Sequence, residues 1–187
     1  MRCGVLRATF IRYVERILYP RVGVFSGAAS SSSRLISSMN SNGAGSTHCA
    51  QPNEKDGSKD IGDLAWRAKL NTTQYRVLRQ KSTDPRGGSY DDFFGDGIYV
   101  CAGCDTPLYT STMKFACGCG WPGFWDCLPK AVREEPDADG RRTEIICNAC
   151  NGHLGHVFRH EGFKNPLPNE RHCVNNSSIK FIPKNSI

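Results

Sequence analysis

Ile98-Tyr99-Val100-Cys101-Ala102-Gly103-Cys104 and Thr143-Glu144-Ile145-Ile146-Cys147-Asn148-Ala149-Cys150 are the two stretches on which the fold turns. In each, a short apolar run of strand character feeds directly into a pair of cysteines two residues apart. That spacing lets a tight turn aim both sulfurs at one metal ion, and two such knuckles complete the tetrahedral tetrathiolate set that zinc accepts in structural sites. The 42 residues between Cys104 and Cys147 exceed a simple zinc ribbon, so the metal is expected to tie together two hairpins of a larger domain. Two redox CxxC pairs, or two disulfides, are the competing reading, but redox pairs sit at helix N-termini in a βαβ setting that is absent here. A site closed by four sulfurs leaves no open position for a substrate. Any chemistry has to lie elsewhere.

Outward from the two pairs, more short apolar runs are cut by Gly, Pro and Asp: Leu108-Tyr109, His156-Val157-Phe158 and Ser178-Ile179-Lys180-Phe181-Ile182. No long helical period lies between them, which predicts one mostly antiparallel β domain. Before it, helical character begins at Asp63-Leu64-Ala65-Trp66. It resumes after an Asn71-Thr72-Thr73 start signal in Gln74-Tyr75-Arg76-Val77-Leu78-Arg79, and Asp84-Pro85-Arg86-Gly87-Gly88 stops it. The expected organisation is a leader over 1–50, a linker over 51–62 and the domain over 63–187.

The leader holds six Arg, no Lys and a single acid, Glu15. Leu6, Phe10, Tyr13, Val14 and Ile17 fall on one side of a helical wheel with Arg12 and Arg16 opposite. An amphipathic, Arg- and Ser-rich, acid-poor segment reads as a mitochondrial transit peptide. A secretory signal fits less well, because an Arg would interrupt its apolar region every few residues; an untargeted tail is the bland alternative. Met39 is a candidate internal start for a leaderless, cytoplasmic form.

The chain has 187 residues and a formal charge of +6, with 39% apolar and 22% charged residues and a mean hydropathy of −0.46. The leader carries +5 of that charge, while residues 51–187 hold 18 basic and 17 acidic residues, or +1. A nucleic-acid binder shows its Lys and Arg on the folded domain, so this class is disfavoured. No stretch approaches the roughly 18 apolar residues of a membrane-spanning helix.

Two further clusters stand out. Gly152-His153-Leu154-Gly155-His156-Val157-Phe158 follows the second cysteine pair, and Arg171-His172-Cys173-Val174-Asn175 comes later. Reading Cys147, Cys150, His153 and His156 as a metal ladder is strained, since a two-Cys, two-His finger needs a loop of about 12 residues between its pairs; ordinary core histidines are the plainer alternative. Cys173 lies outside every pair. A positive neighbour such as Arg171 lowers a thiol's pKa and raises its nucleophilic thiolate fraction, although a lone Cys is more often a small buried apolar residue. The third feature, Phe115-Ala116-Cys117-Gly118-Cys119-Gly120-Trp121-Pro122-Gly123-Phe124-Trp125, sets thiols on pliable backbone beside a large aromatic face. It is either a Gly-rich packing turn or a loop that brings a resolving thiol to a sulfenic acid.

Laid side by side, QYRVLR, GIYVCAGCDTPLY, the KF-x-C-G-CGWPGF segment, RTEIICNACNGHLGHVF and RHCVNNSSIKF closely resemble the B-type methionine sulfoxide reductases, over about 115 residues from Trp66 to Phe181. The resemblance implies a mainly β fold of two antiparallel sheets forming a barrel-like core, with short N-terminal helices and a structural zinc on Cys101, Cys104, Cys147 and Cys150. It places the nucleophile at Cys173 and the recycling cysteine at Cys119. Trp121 should hold the substrate methyl, His153, His156 and Asn175 should order the pocket and its water, and Arg171 should help to keep the thiolate charged. The implied substrate is methionine-R-sulfoxide in proteins and peptides. A thioredoxin-like dithiol reductant would recycle a monomeric enzyme that needs no organic cofactor and binds neither membrane nor nucleic acid. The chain departs from the family pattern at Cys117, Gly123, Asn151 and Asn176, and Cys127 has no assigned role. The competing class is a non-catalytic zinc-knuckle module for binding another protein, which would have no need of Cys173, Asn175, the histidines or the CGW loop.

Overall fold

The computed structural model describes residues 57–186. The amphipathic leader, Met39, residues 51–56 of the linker and Ile187 lie outside the described residues.

Two short helices open the domain, α1 (Asp63–Lys69) and α2 (Thr72–Gln80). Asn71 caps α2 because its side-chain oxygen accepts the Gln74 N–H at 2.8 Å, while the Gln74 side chain accepts the Asn71 N–H at 3.3 Å, a reciprocal capping box. The helix ends at Lys81, in the left-handed conformation (φ 57°), three residues before the expected Asp84-Pro85 stop. Trp66, Val77 and Leu78 are its buried anchors and those of α1. They lie over the cysteine knuckles: Gly103 sits under the Trp66 and Leu78 side chains, and Arg79 donates to the Cys150 carbonyl at 2.8 Å.

The strands are β1 (Gly97–Cys101), β2 (Pro107–Thr110), β3 (Lys114–Phe115), β4 (Gly123–Phe124), β5 (Val132–Pro136), β6 (Thr143–Cys147), β7 (His153–Phe158), β8 (Arg171–Val174) and β9 (Ile179–Pro183). They form a three-stranded sheet, order β2-β1-β9, and a six-stranded sheet, order β3-β4-β8-β7-β6-β5, with antiparallel pairing throughout. Both orders are open. The expected barrel-like core is therefore corrected to two unclosed sheets. One outer edge of the large sheet is β5, whose Glu134, Glu135 and Pro136 suit an edge strand and not a closing one. Between the sheets runs an aromatic seam in which the Tyr109 ring stacks on Phe124 at 4.2 Å and Tyr99 meets Phe124 edge-on at 5.0 Å. All three rings are fully buried.

The register of the large sheet positions the site. Cys173 on β8 lies across from Gly123 on one side and His156 on the other. His153 and His156 are three residues apart, a spacing that puts side chains on opposite faces of a regular strand. A bulge between Ile145 and Ile146 in the β6 pairing leaves Leu154 as an extra residue on β7 and restores both imidazoles to one face, with ring centroids 5.6 Å apart.

Candidate active site

The Cys101, Cys104, Cys147 and Cys150 sulfurs all lie within 4.8 Å of one another and are buried, a group that could hold a metal ion. The knuckles are built alike. The Asp105 N–H donates to the Cys101 carbonyl and the Asn151 N–H to the Cys147 carbonyl, and Asp105 and Asn151 both adopt φ 59°. Asn tolerates this left-handed conformation nearly as well as glycine. The Asn151 side chain also links Arg133 to Asp60, which accounts for one departure from the family pattern.

Three further cysteines meet where the β3–β4 loop passes β8. The Cys119 sulfur is 2.9 Å from that of Cys117 and 3.6 Å from that of Cys173. Its contacts with Cys117 first and Cys173 second hold its thiol well below the ordinary range. Cys173 is pushed up, first by its contact with Cys119 and then by burial, and the nearby Arg171 charge only partly offsets this. The Arg171 guanidinium is paired with Glu161 at 2.7 Å and lies over the Phe158 ring at 4.2 Å.

Cys173 opens onto a cavity of about 120 Å³ lined by Trp121, His156, Asn175, Phe158, Thr83 and Arg142, among others. That is room for the end of a side chain, between the Trp121 and Phe158 rings and the polar groups of Thr83, Arg142, His156 and Asn175. His156 is held by Asp137 at 2.7 Å, and its burial keeps its pKa below the ordinary histidine range. Asn175 lines the wall, its amide held at both ends: it donates to the Leu154 carbonyl and accepts the Asp84 N–H. His153 lies outside this lining, bonded to Glu144 at 2.6 Å, with its Nε2 buried and unpartnered. Burial alone would raise the Glu144 carboxyl, yet its bonds to His153 and Lys81 outweigh that and hold it low. His172, next to Cys173 in sequence, points to the opposite face and contacts Tyr109 and Glu170.

Of the residues expected at the site, Cys119, Cys173, Trp121, His156 and Asn175 come together, while Arg171 and His153 stand behind that wall. The sequence reading missed Asp84, Asp137 and Arg142. Asp84 is buried; its carbonyl accepts the Trp121 indole N–H at 2.9 Å, its N–H goes to Asn175, and its carboxylate accepts both donors of Ser177. Its only sequence signal was that of a helix stop. Asp137 and Arg142 close the β5–β6 turn and are paired at 2.9 Å; nothing in the sequence of this turn signals that it reaches a cavity.

Fold and site together define a class: a mainly β thiol protein with a four-cysteine cluster set apart from a cysteine pair at a small aromatic cavity. Residues 70–183 match the SelR domain family. The chain is 60% identical over 126 residues to peptide methionine sulfoxide reductase B5 of Oryza sativa subsp. japonica, covering 67% of this chain and 92% of that protein. It is 60% identical over 122 residues to peptide methionine sulfoxide reductase B5 of Arabidopsis thaliana, covering 65% and 87%. It is also 61% identical over 121 residues to the chloroplastic B2 reductase of Arabidopsis thaliana, covering 64% and 59%. The chain belongs to the SelR-domain family, the B-type methionine sulfoxide reductases.

Proposed function

We propose that this chain reduces methionine-R-sulfoxide in proteins and peptides to methionine, with Cys173 as nucleophile and Cys119 as recycling cysteine. The observation that carries the reading is the 3.6 Å contact between the two sulfurs at the edge of the Trp121–His156 cavity. A sulfoxide sulfur becomes electrophilic once its oxygen is protonated or strongly hydrogen-bonded, and the His156 ring stands in the wall to assist that transfer. Cys173 attacks the sulfur with the methyl against the Trp121 ring. The oxygen leaves on Cys173 as a sulfenic acid, the thiol proton stays with it, and methionine departs. Cys119 then attacks the sulfenic sulfur, water leaves, and a Cys119–Cys173 disulfide forms after the sulfurs close from 3.6 Å to about 2.05 Å. A thioredoxin-like dithiol protein reduces it by exchange. No organic cofactor and no second copy of the chain enters these steps.

The four-cysteine cluster suits zinc. Bonds of about 2.3 Å to a tetrahedral ion set sulfurs about 3.8 Å apart, and the Cys101–Cys150 and Cys104–Cys147 pairs are each separated by 3.7 Å. Cys101, Cys104, Cys147 and Cys150 would hold the ion, which when bound ties the β1–β2 knuckle to the β6–β7 knuckle and stabilises the fold. For residues 1–50 we keep the mitochondrial leader reading, with Met39 as the start of a cytoplasmic form; import of the full chain by isolated mitochondria, with shortening of the product, tests it.

The enzymatic reading is tested with a methionine sulfoxide peptide and thioredoxin. Cys119→Ser should retain one stoichiometric turnover and lose sustained cycling. Full cycling in that variant would remove Cys119 from the role.

A further inference from the structure

We propose that Cys117 is a second recycling cysteine, which takes the disulfide over from Cys173 and leaves the oxidised pair on Cys117 and Cys119. This rests on the reading of Cys173 and Cys119 given above and extends it by one exchange step.

Cys119 is the shared partner of the cluster. Its sulfur touches Cys117 at 2.9 Å, closer than it touches Cys173 at 3.6 Å. Two features of the loop place Cys117 there. Gly118, between the two cysteines, adopts φ +68° with open space around it, so the backbone folds back and brings both side chains to one side. Gly123 supplies the slot: a Cβ at that position would lie 2.7 Å from the Cys117 sulfur and 3.2 Å from its Cβ. Two departures from the family pattern, Cys117 and Gly123, are therefore one spatial arrangement. Cys117 is also absent from the cavity lining, and its neighbours Ala116 and Gly118 are exposed. A protein reductant can reach a Cys117–Cys119 disulfide without entering the substrate cavity.

The chemistry balances without an added oxidant. In the Cys119–Cys173 disulfide, the Cys117 thiolate attacks the Cys119 sulfur. The Cys117–Cys119 bond forms, the Cys119–Cys173 bond breaks, and Cys173 leaves with the electron pair and takes up the proton that Cys117 lost. In the reduced site the Cys117 thiol is held high by its bond to Cys119 first and by burial second, against the Arg171 charge. Oxidation of Cys119 removes the first of these restraints, so the attacking thiolate is released when it is needed.

The relay changes a countable quantity. Reduced full-length chain, freed of reductant, is given excess methionine-R-sulfoxide peptide; methionine per chain is counted and disulfides are mapped by alkylation and mass spectrometry. Wild type should yield two methionines per chain, because the relay frees Cys173 for a second attack, with Cys117 joined to Cys119. Cys117→Ser should yield half as much, one per chain, with Cys119 joined to Cys173; that first turnover also shows that the variant is folded. One methionine per chain in wild type with Cys117 alkylated, or two per chain in both proteins, would overturn the relay. Absence of methionine in both would overturn the enzymatic reading beneath it.

Discussion

Cys173 gains less from its sequence neighbours than their charges suggest. His172 turns away along the alternating strand, Arg171 is held by Glu161, and the contact with Cys119 raises the Cys173 thiol. Replacing Cys119 with Ala removes the largest influence that raises the Cys173 thiol. Alkylation of Cys173 in that variant should therefore proceed at lower pH than in wild type; an unchanged pH profile would show that Cys119 does not restrain it. Gly123 and Cys117 give a second test. Gly123→Ala alone overfills the slot and should destabilise by about 1–3 kcal/mol, and adding Cys117→Ala should recover much of that loss, a coupling measurable by chemical denaturation as a double-mutant cycle. At this scale the cysteines were legible because thiol spacing is local, and Trp121 was legible through its motif. Asp84 was not, because its role is to join residues some 40 to 90 positions away by backbone and carboxylate bonds.

At the scale of elements, the bulge in β7 decides whether the two histidines share a face. It brings the Gly155 backbone against β8, where a Cβ would lie 2.0 Å from the Cys173 carbonyl oxygen. Gly155→Ala should part the strands and lower stability by more than about 2 kcal/mol, with loss of activity beyond the loss of folded protein. A melting curve unchanged from wild type would contradict this contact. Across from His156 in the β6 pairing stands Glu144, whose folded pKa lies below its ordinary 4.5. A lowered carboxylate contributes stability above its unfolded pKa and loses it as pH falls through the folded value. Melting temperature should therefore decline below about pH 4.5, with a shallower decline in Glu144→Gln. Strands β1, β2, β6, β7 and β9 were visible as apolar runs. In contrast, β3 and β4 are two residues each, β5 is charged and ends in proline, and β8 is polar, so only their pairing makes them strands.

Over the whole domain, the cysteine cluster and the aromatic seam both tie together distant parts of the chain. Loss of one cluster thiol, as in Cys104→Ser, should abolish stoichiometric zinc binding and lower the melting temperature by on the order of 10 °C or more; purified protein without zinc and with unchanged melting would refute the structural ion. The mainly β class and the cluster followed from two local patterns, but the open sheets and the cavity did not. Thr83, Trp121, Arg142, His156 and Cys173 converge only through the order of the strands. The central claim is that this convergence makes Cys173 a reductant of one sulfoxide epimer. It is tested most directly by giving a racemic methionine sulfoxide peptide and a dithiol reductant to wild type and to Cys173→Ser. The account predicts that wild type consumes the R epimer and leaves the S epimer, and that Cys173→Ser consumes neither. Unchanged turnover in Cys173→Ser, or depletion of the S epimer in wild type, would contradict it.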